Sequence, residues 1–131
     1  MHKLRVLLVE IALVVICVAS AYSQNRADWM AQARWGVMTH YLADWKSRDY
    51  NIDMNVDEWN KLIDKFDVEK LADQLQSAGV SYYQISIGQN SGYYLSPNAT
   101  YDKIVGTKPS KLSRRDLVAD LYEALNKRGI K

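Results

Sequence analysis

From Ser86 to Pro97 the chain reads SIGQNSGYYLSP, a stretch that leaves an apolar, strand-like run and sets two amides, a hydroxyl and a glycine ahead of two tyrosines. Gln89 and Asn90 each supply a carbonyl acceptor and a pair of amide donors, and neither titrates near neutral pH. Such a loop can bind hydroxyl groups of a ligand but cannot move protons. A second polar group in a comparable place is His40, at the end of the run WGVMTHY (35–41); its imidazole can donate, accept or titrate. The remaining chemistry is restricted. Cys17 is the single cysteine and lies in a segment expected to be removed, which leaves neither a catalytic thiol nor a disulfide. No metal-ligand spacing, glycine-rich phosphate loop or Ser-His-Asp arrangement is present, so neither a metal nor a cofactor is implied.

The elements that must hold these groups are legible as periodic runs. DVEKLADQLQSAG (67–79) places Val68, Leu71, Ala72, Leu75 and Ala78 at helical intervals, with Asp67 to cap the start and Gly79 to end it. VSYYQISIG (80–88), rich in β-branched and aromatic residues, follows as a strand. WGVMTHY reads as an earlier strand, preceded by a short helix capped by Asp28 and followed by a polar, aromatic-rich connection over 42–55. DEWNKLIDKF (57–66) reads as helical. Ser113 is expected to cap a last helix, with Asp116 in the capping-box position and a stripe of Leu117, Val118, Leu121, Ala124 and Leu125 that Gly129 closes. Ile130 and Lys131 would begin a third strand. Strand, helix, strand, helix, strand predicts parallel pairing, and two such units cannot close a barrel, so the chain reads as the front part of a larger α/β protein.

With 131 residues, 48% hydrophobic and 24% charged, the composition is that of a globular domain. Lys3 and Arg5 precede an apolar run, and Ala19, Ser20 and Ala21 offer a cleavage site, so residues 1–24 read as a signal peptide and 25–131 as the exported, secreted or periplasmic, protein. The apolar part is too short for a stable membrane span, and Ile16 ahead of Cys17 argues against a lipoprotein. Removing 1–24 takes Lys3, Arg5 and Glu10 from 17 basic and 15 acidic residues and leaves a formal charge of +1. That balance points to no nucleic-acid partner. Lys108, Lys111, Arg114 and Arg115 are read as a solvated face, and Asn98-Ala99-Thr100 fits a glycosylation acceptor.

Together ARWGVMTHY, DEWN, FDVEKLADQLQSAGVSYYQIS, SGYYLSPNATYD and PSKLSRRDLVADLYEALNKRGIK resemble the N-terminal part of the α-L-fucosidases of glycoside hydrolase family 29, over roughly Trp29 to Lys131. The resemblance implies the first two βα units of a (β/α)8 barrel that hydrolyses terminal α-linked fucose with retention, with working residues at the C-terminal ends of the strands. It assigns sugar contact to His40 and sugar-proximal positions to Glu58 and Trp59, and it places Gln89, Asn90 and Tyr93 at the barrel mouth. Where the family usually shows His-His-Asp-Gly-Phe, this chain has Gln89-Asn90-Ser91-Gly92-Tyr93. The substitution is expected to alter which sugar is bound more than whether hydrolysis occurs.

Retaining glycosidases need two carboxyl groups roughly 5 Å apart. Asp44, Asp49, Asp53, Asp57, Glu58, Asp102 and Asp116 are the candidates, and none ends a predicted strand. The expected function is therefore a secreted fucosidase-like hydrolase, present as a fragment that lacks the catalytic pair and is inactive alone, with a fucosylated glycan or another sugar as its substrate. The alternatives are a non-catalytic carbohydrate-binding barrel and a glycosidase of altered specificity.

Overall fold

The computed structural model describes residues 27–131; the expected signal peptide and Cys17 lie outside the described residues. The chain divides into two units, 1–32 and 33–131. The described part of the first is helix α1 (Asp28–Gln32), in which Asp28 belongs to the first turn instead of preceding it as a cap. The second unit runs β1 (Val37–His40), α2 (Ala43–Tyr50), α3 (Val56–Asp64), α4 (Val68–Ser77), β2 (Tyr83–Ser86), α5 (Ala99–Val105) and α6 (Leu117–Asn126). Among the described residues no helix is long and apolar enough to cross a membrane.

Caps set most of these boundaries. Asn55 Oδ1 accepts from the N–H groups of Asp57 and Glu58, both at 3.0 Å, and Asp67 Oδ1 accepts from that of Lys70 at 2.9 Å, satisfying donors that a first helical turn leaves unpaired. Gly79 follows α4 at φ +70°, as expected. The last helix departs from expectation. Asp116 is its cap, accepting from Ala119 N–H at 3.0 Å, because buried Ser113 is already used: its hydroxyl donates to Arg115 O and its N–H to Tyr94 O. Ala78, counted with the apolar stripe of α4, lies exposed at the helix end.

The strands are shorter than the sequence predicts and pair in parallel, with Val37 opposite Tyr83 and His40 opposite Ser86. A parallel pair needs a crossover, and the connection through α2, α3 and α4 supplies it. Ile130 and Lys131 form no strand of their own. Lys131 nevertheless donates its N–H to Ser81 O at 3.1 Å and accepts from Tyr83 N–H at 2.8 Å, while Tyr82 O is used by β1. This is one rung of a parallel ladder on the edge of β2 that faces away from β1.

Two packed clusters lie on one side of this sheet. Trp59, Ile63, Leu95 and Leu117, all fully buried, form the first with Ala43 and Leu121; Ala72, Leu75, Val80, Ala124, Leu125 and Ile130 form the second. Val37 and Tyr83 pack on the second and Ile85 on the first. The alternation of a strand then turns Met38, His40 and Gln84 the other way, where all three are exposed.

Helices α2 and α5 were not legible as helices. α2 buries Ala43 alone and has no side-chain cap, so its sequence carries no apolar period. α5 buries nothing and is defined by its ends: Asn98 Oδ1 accepts from Tyr101 N–H at 2.9 Å, and Gly106 stops it at φ +67°. Asn98, read as a glycosylation acceptor, thus serves as a helix cap.

Candidate functional site

Because the strands are parallel, their carboxyl ends share one edge of the sheet, and that edge carries His40 and the loop beyond Ser86. His40 is exposed. Its Nδ1 lies 2.6 Å from Ser86 Oγ across the ladder, and the Trp45 ring packs with it in a T-shaped contact at 5.4 Å between centroids and 61° between planes. Trp45 stands in the first turns of α2, so the helix that the sequence concealed is the one that braces this histidine.

The Gln89–Gly92 segment is a tight turn, closed by Gly92 N–H donating to Gln89 O at 3.2 Å, with Gly92 at φ +80°. A left-handed residue at that place explains the glycine. Backbone bridges from Gly88 to Tyr94 and from Tyr94 to Leu112 anchor the loop from both sides. A Cβ on Gly88 would run into the Tyr94 ring and the Tyr93 carbonyl, so only glycine allows this approach. Gln89 and Asn90 project from the turn, exposed, and their side chains make no hydrogen bond among the described residues. Their amides are left for water or a ligand.

Tyr93 is half-buried. Its hydroxyl donates to Met54 O at 3.3 Å, its ring lies 5.9 Å from that of Trp59, and Lys111 Nζ sits 5.0 Å over it while donating to Ser91 O at 3.0 Å. Burial, and secondarily the Asp53 carboxylate, push the Tyr93 phenol above its ordinary value, so it remains a neutral donor. Tyr93 lines a cleft of about 470 Å³ with Met54, Asn55, Asp57, Lys108 and Lys111. His40, Gln89 and Asn90 are not part of that lining.

The acidic-aromatic pair splits. Trp59 is 0% exposed, its indole N–H donates to Tyr94 O at 3.1 Å, and the rings of Tyr41 and Tyr93 pack beside it. A side chain with no accessible surface offers no face to a sugar, so the contact expected of Trp59 is corrected to core packing. The reason is helical phase: Trp59 and Ile63, four residues apart, share the buried face of α3, and Glu58, one position earlier, turns away from it. Glu58 is half-buried and pairs with Lys61 at 2.7 Å along the helix surface.

Nor is the basic cluster a uniform solvated face. Arg115 Nη1 donates to the carbonyls of Ile63, Asp64 and Phe66 at 2.8, 3.3 and 3.0 Å, and its Nε meets Asp120 at 2.6 Å, so it staples the end of α3 to the start of α6. Arg114 pairs with Asp57 at 3.1 Å, and Lys111 covers Tyr93. Asp102 accepts from Ser110 Oγ at 2.7 Å, and Asp116 is a cap. Among the described residues no carboxylate ends a strand, and no group of three His, Cys, Asp or Glu side chains could hold a metal ion. Ser86 was not singled out from the sequence; the available signal was a hydroxyl at the end of a strand facing a histidine at the end of its neighbour.

No protein-family model and no curated protein matches this chain. Solved structures do. An α-L-fucosidase of family GH29 from Bacteroides thetaiotaomicron superposes with a TM-score of 0.52 at 28% sequence identity, over 82% of this chain and 28% of that one. A bacterial fucosidase solved with a monovalent iminocyclitol inhibitor gives 0.45 at 27% identity, over 73% of this chain and 26% of that one. The chain thus spans under a third of the length of the fucosidases it matches. The family whose residues the sequence resembles is also the one whose solved structure this backbone follows, the GH29 α-L-fucosidases.

Proposed function

We propose that the chain forms the first two βα units of a (β/α)8 glycoside hydrolase of the α-L-fucosidase type, exported by its N-terminal segment, and that it supplies part of the sugar site and not the catalytic carboxylates. The observation that carries this reading is the placement of His40: exposed, at the carboxyl end of β1, on the sheet face opposite the two packed clusters. In a βα barrel that position looks into the mouth. Gln89 and Asn90 add unpaired amides on the loop after β2, at the same edge, so a sugar's hydroxyls meet donors and acceptors from both strands.

In the retaining mechanism one carboxylate attacks the anomeric carbon and a second carboxyl group protonates the departing oxygen. On this proposal the chain's own residues bind and orient the sugar for that displacement. The test is turnover of a chromogenic α-L-fucoside by the full-length gene product, assayed in the exported fraction. Cleavage is the expected result; a folded product that neither cleaves nor binds fucosides overturns it. The replacement of the usual histidine pair by Gln89 and Asn90 favours a second reading, a non-catalytic carbohydrate-binding barrel or a glycosidase of altered sugar specificity. Fucose binding without turnover identifies the former, and turnover of another glycoside the latter.

A further inference from the structure

We propose that Ser86 is a positioning residue for His40: its hydroxyl donates to Nδ1, holds the neutral imidazole in the tautomer protonated on Nε2, and so presents an Nε2–H donor to a sugar oxygen. The ligand half of this inference rests on the function proposed above; the tautomer half does not.

Three observations carry it. Ser86 and His40 are register partners of the parallel ladder, so strand pairing itself sets their approach. The 2.6 Å separation of Oγ and Nδ1 is a full hydrogen bond. Among the described residues Ser86 Oγ has no other partner, so its single hydrogen has one acceptor within reach, Nδ1. The reverse arrangement, Nδ1–H to Oγ, would leave the hydroxyl hydrogen without a protein acceptor. Once Nδ1 accepts, the ring proton of the neutral form must reside on Nε2.

Orientation is fixed from a second side. The T-shaped contact of the Trp45 ring with the imidazole opposes rotation about the Cβ–Cγ bond, so the Nε2–H vector is set both by a hydrogen bond and by packing. A donor held in advance loses less entropy on binding than one that must be ordered by the ligand. The class of group it suits is a neutral oxygen acceptor such as a hydroxyl or ring oxygen; a ligand N–H or ammonium would find no lone pair on Nε2.

The test uses the full-length protein with Ser86→Ala and Ser86→Thr. Nitrogen-15 spectra of the imidazole at alkaline pH report the tautomer directly and do not depend on any ligand. The wild type and Ser86→Thr, which keeps the hydroxyl, are expected to show the Nε2–H form alone, and Ser86→Ala a mixture with a measurable Nδ1–H fraction. An Nδ1–H wild type, or a tautomer indifferent to Ser86→Ala in a protein with an unchanged circular dichroism spectrum, overturns the assignment. L-fucose affinity by calorimetry is expected to weaken about three- to tenfold in Ser86→Ala, the scale of one lost hydrogen bond, and to recover in Ser86→Thr. If His40→Ala leaves fucose affinity unchanged while Ser86→Ala still shifts the tautomer, Ser86 stands as the positioning residue and the role of His40 in sugar binding falls.

Discussion

The two faces of the small sheet differ in how their polar atoms are used. On the helix side, Trp59 Nε1, both amide atoms of Asn60, the Ser113 hydroxyl and the Arg115 guanidinium all have protein partners, and no buried side-chain nitrogen or oxygen among the described residues lacks one. On the opposite face and the rim beyond it, His40 and Ser86 spend one bond on each other, while the amides of Gln84, Gln89 and Asn90 make none among the described residues. Burial without a partner costs about 1–3 kcal/mol per group, so a finished interior consumes its polar atoms. A rim left with unspent donors and acceptors is where a hydroxylated ligand can be bound without breaking anything the fold needs.

This contrast can be broken by substitution, and the largest effect is expected at the centre of the helix side. Trp59→Ala should destabilise by about 3–5 kcal/mol, since it removes the largest fully buried ring and one of the two donors to the Tyr94 carbonyl. Chemical denaturation measures it, and a loss below ~1 kcal/mol would mean that Trp59 is not core. Arg115→Met keeps much of the stem but removes the guanidinium that bonds three carbonyls and Asp120; the expected cost is about 2–3 kcal/mol by the same measurement. An unchanged midpoint would return Arg115 to the solvated face. His40→Ala sharpens the comparison from the other side: stability should stay within about 0.5 kcal/mol of wild type, while sugar affinity falls. A large loss of stability would make His40 a structural residue after all.

How much of this was legible in the sequence depended on the range of the interactions involved. Helix α4 could be read almost completely, because Asp67, the three- and four-residue spacing of its apolar side chains and Gly79 are local signals that the structure retains. Strand β2 was legible from its β-branched and aromatic content, though three residues at its start and two at its end lie outside the ladder. Helix α2 was missed because it buries only Ala43, at one end, and leaves Trp45 and Tyr50 exposed among charged residues, a pattern that an aromatic-rich solvated loop shares. At the site, the placement of His40, Gln89 and Asn90 at one edge followed from strand order alone. The separation of Glu58 from Trp59 did not, because it depends on which arc of α3 faces Leu95 and Leu117, residues far along the chain.

By itself, the sequence determined the alternation of elements, their parallel pairing and the edge at which polar groups gather, since each follows from periodicity and caps within a dozen or so residues. Only the tertiary structure decided that Trp59 is core, that Arg115 is a staple and that Ser86 holds His40. Those outcomes rest on contacts between residues roughly 35 to 50 positions apart, whose partners no local pattern names and whose geometry is set only when the helices close over one face of the sheet.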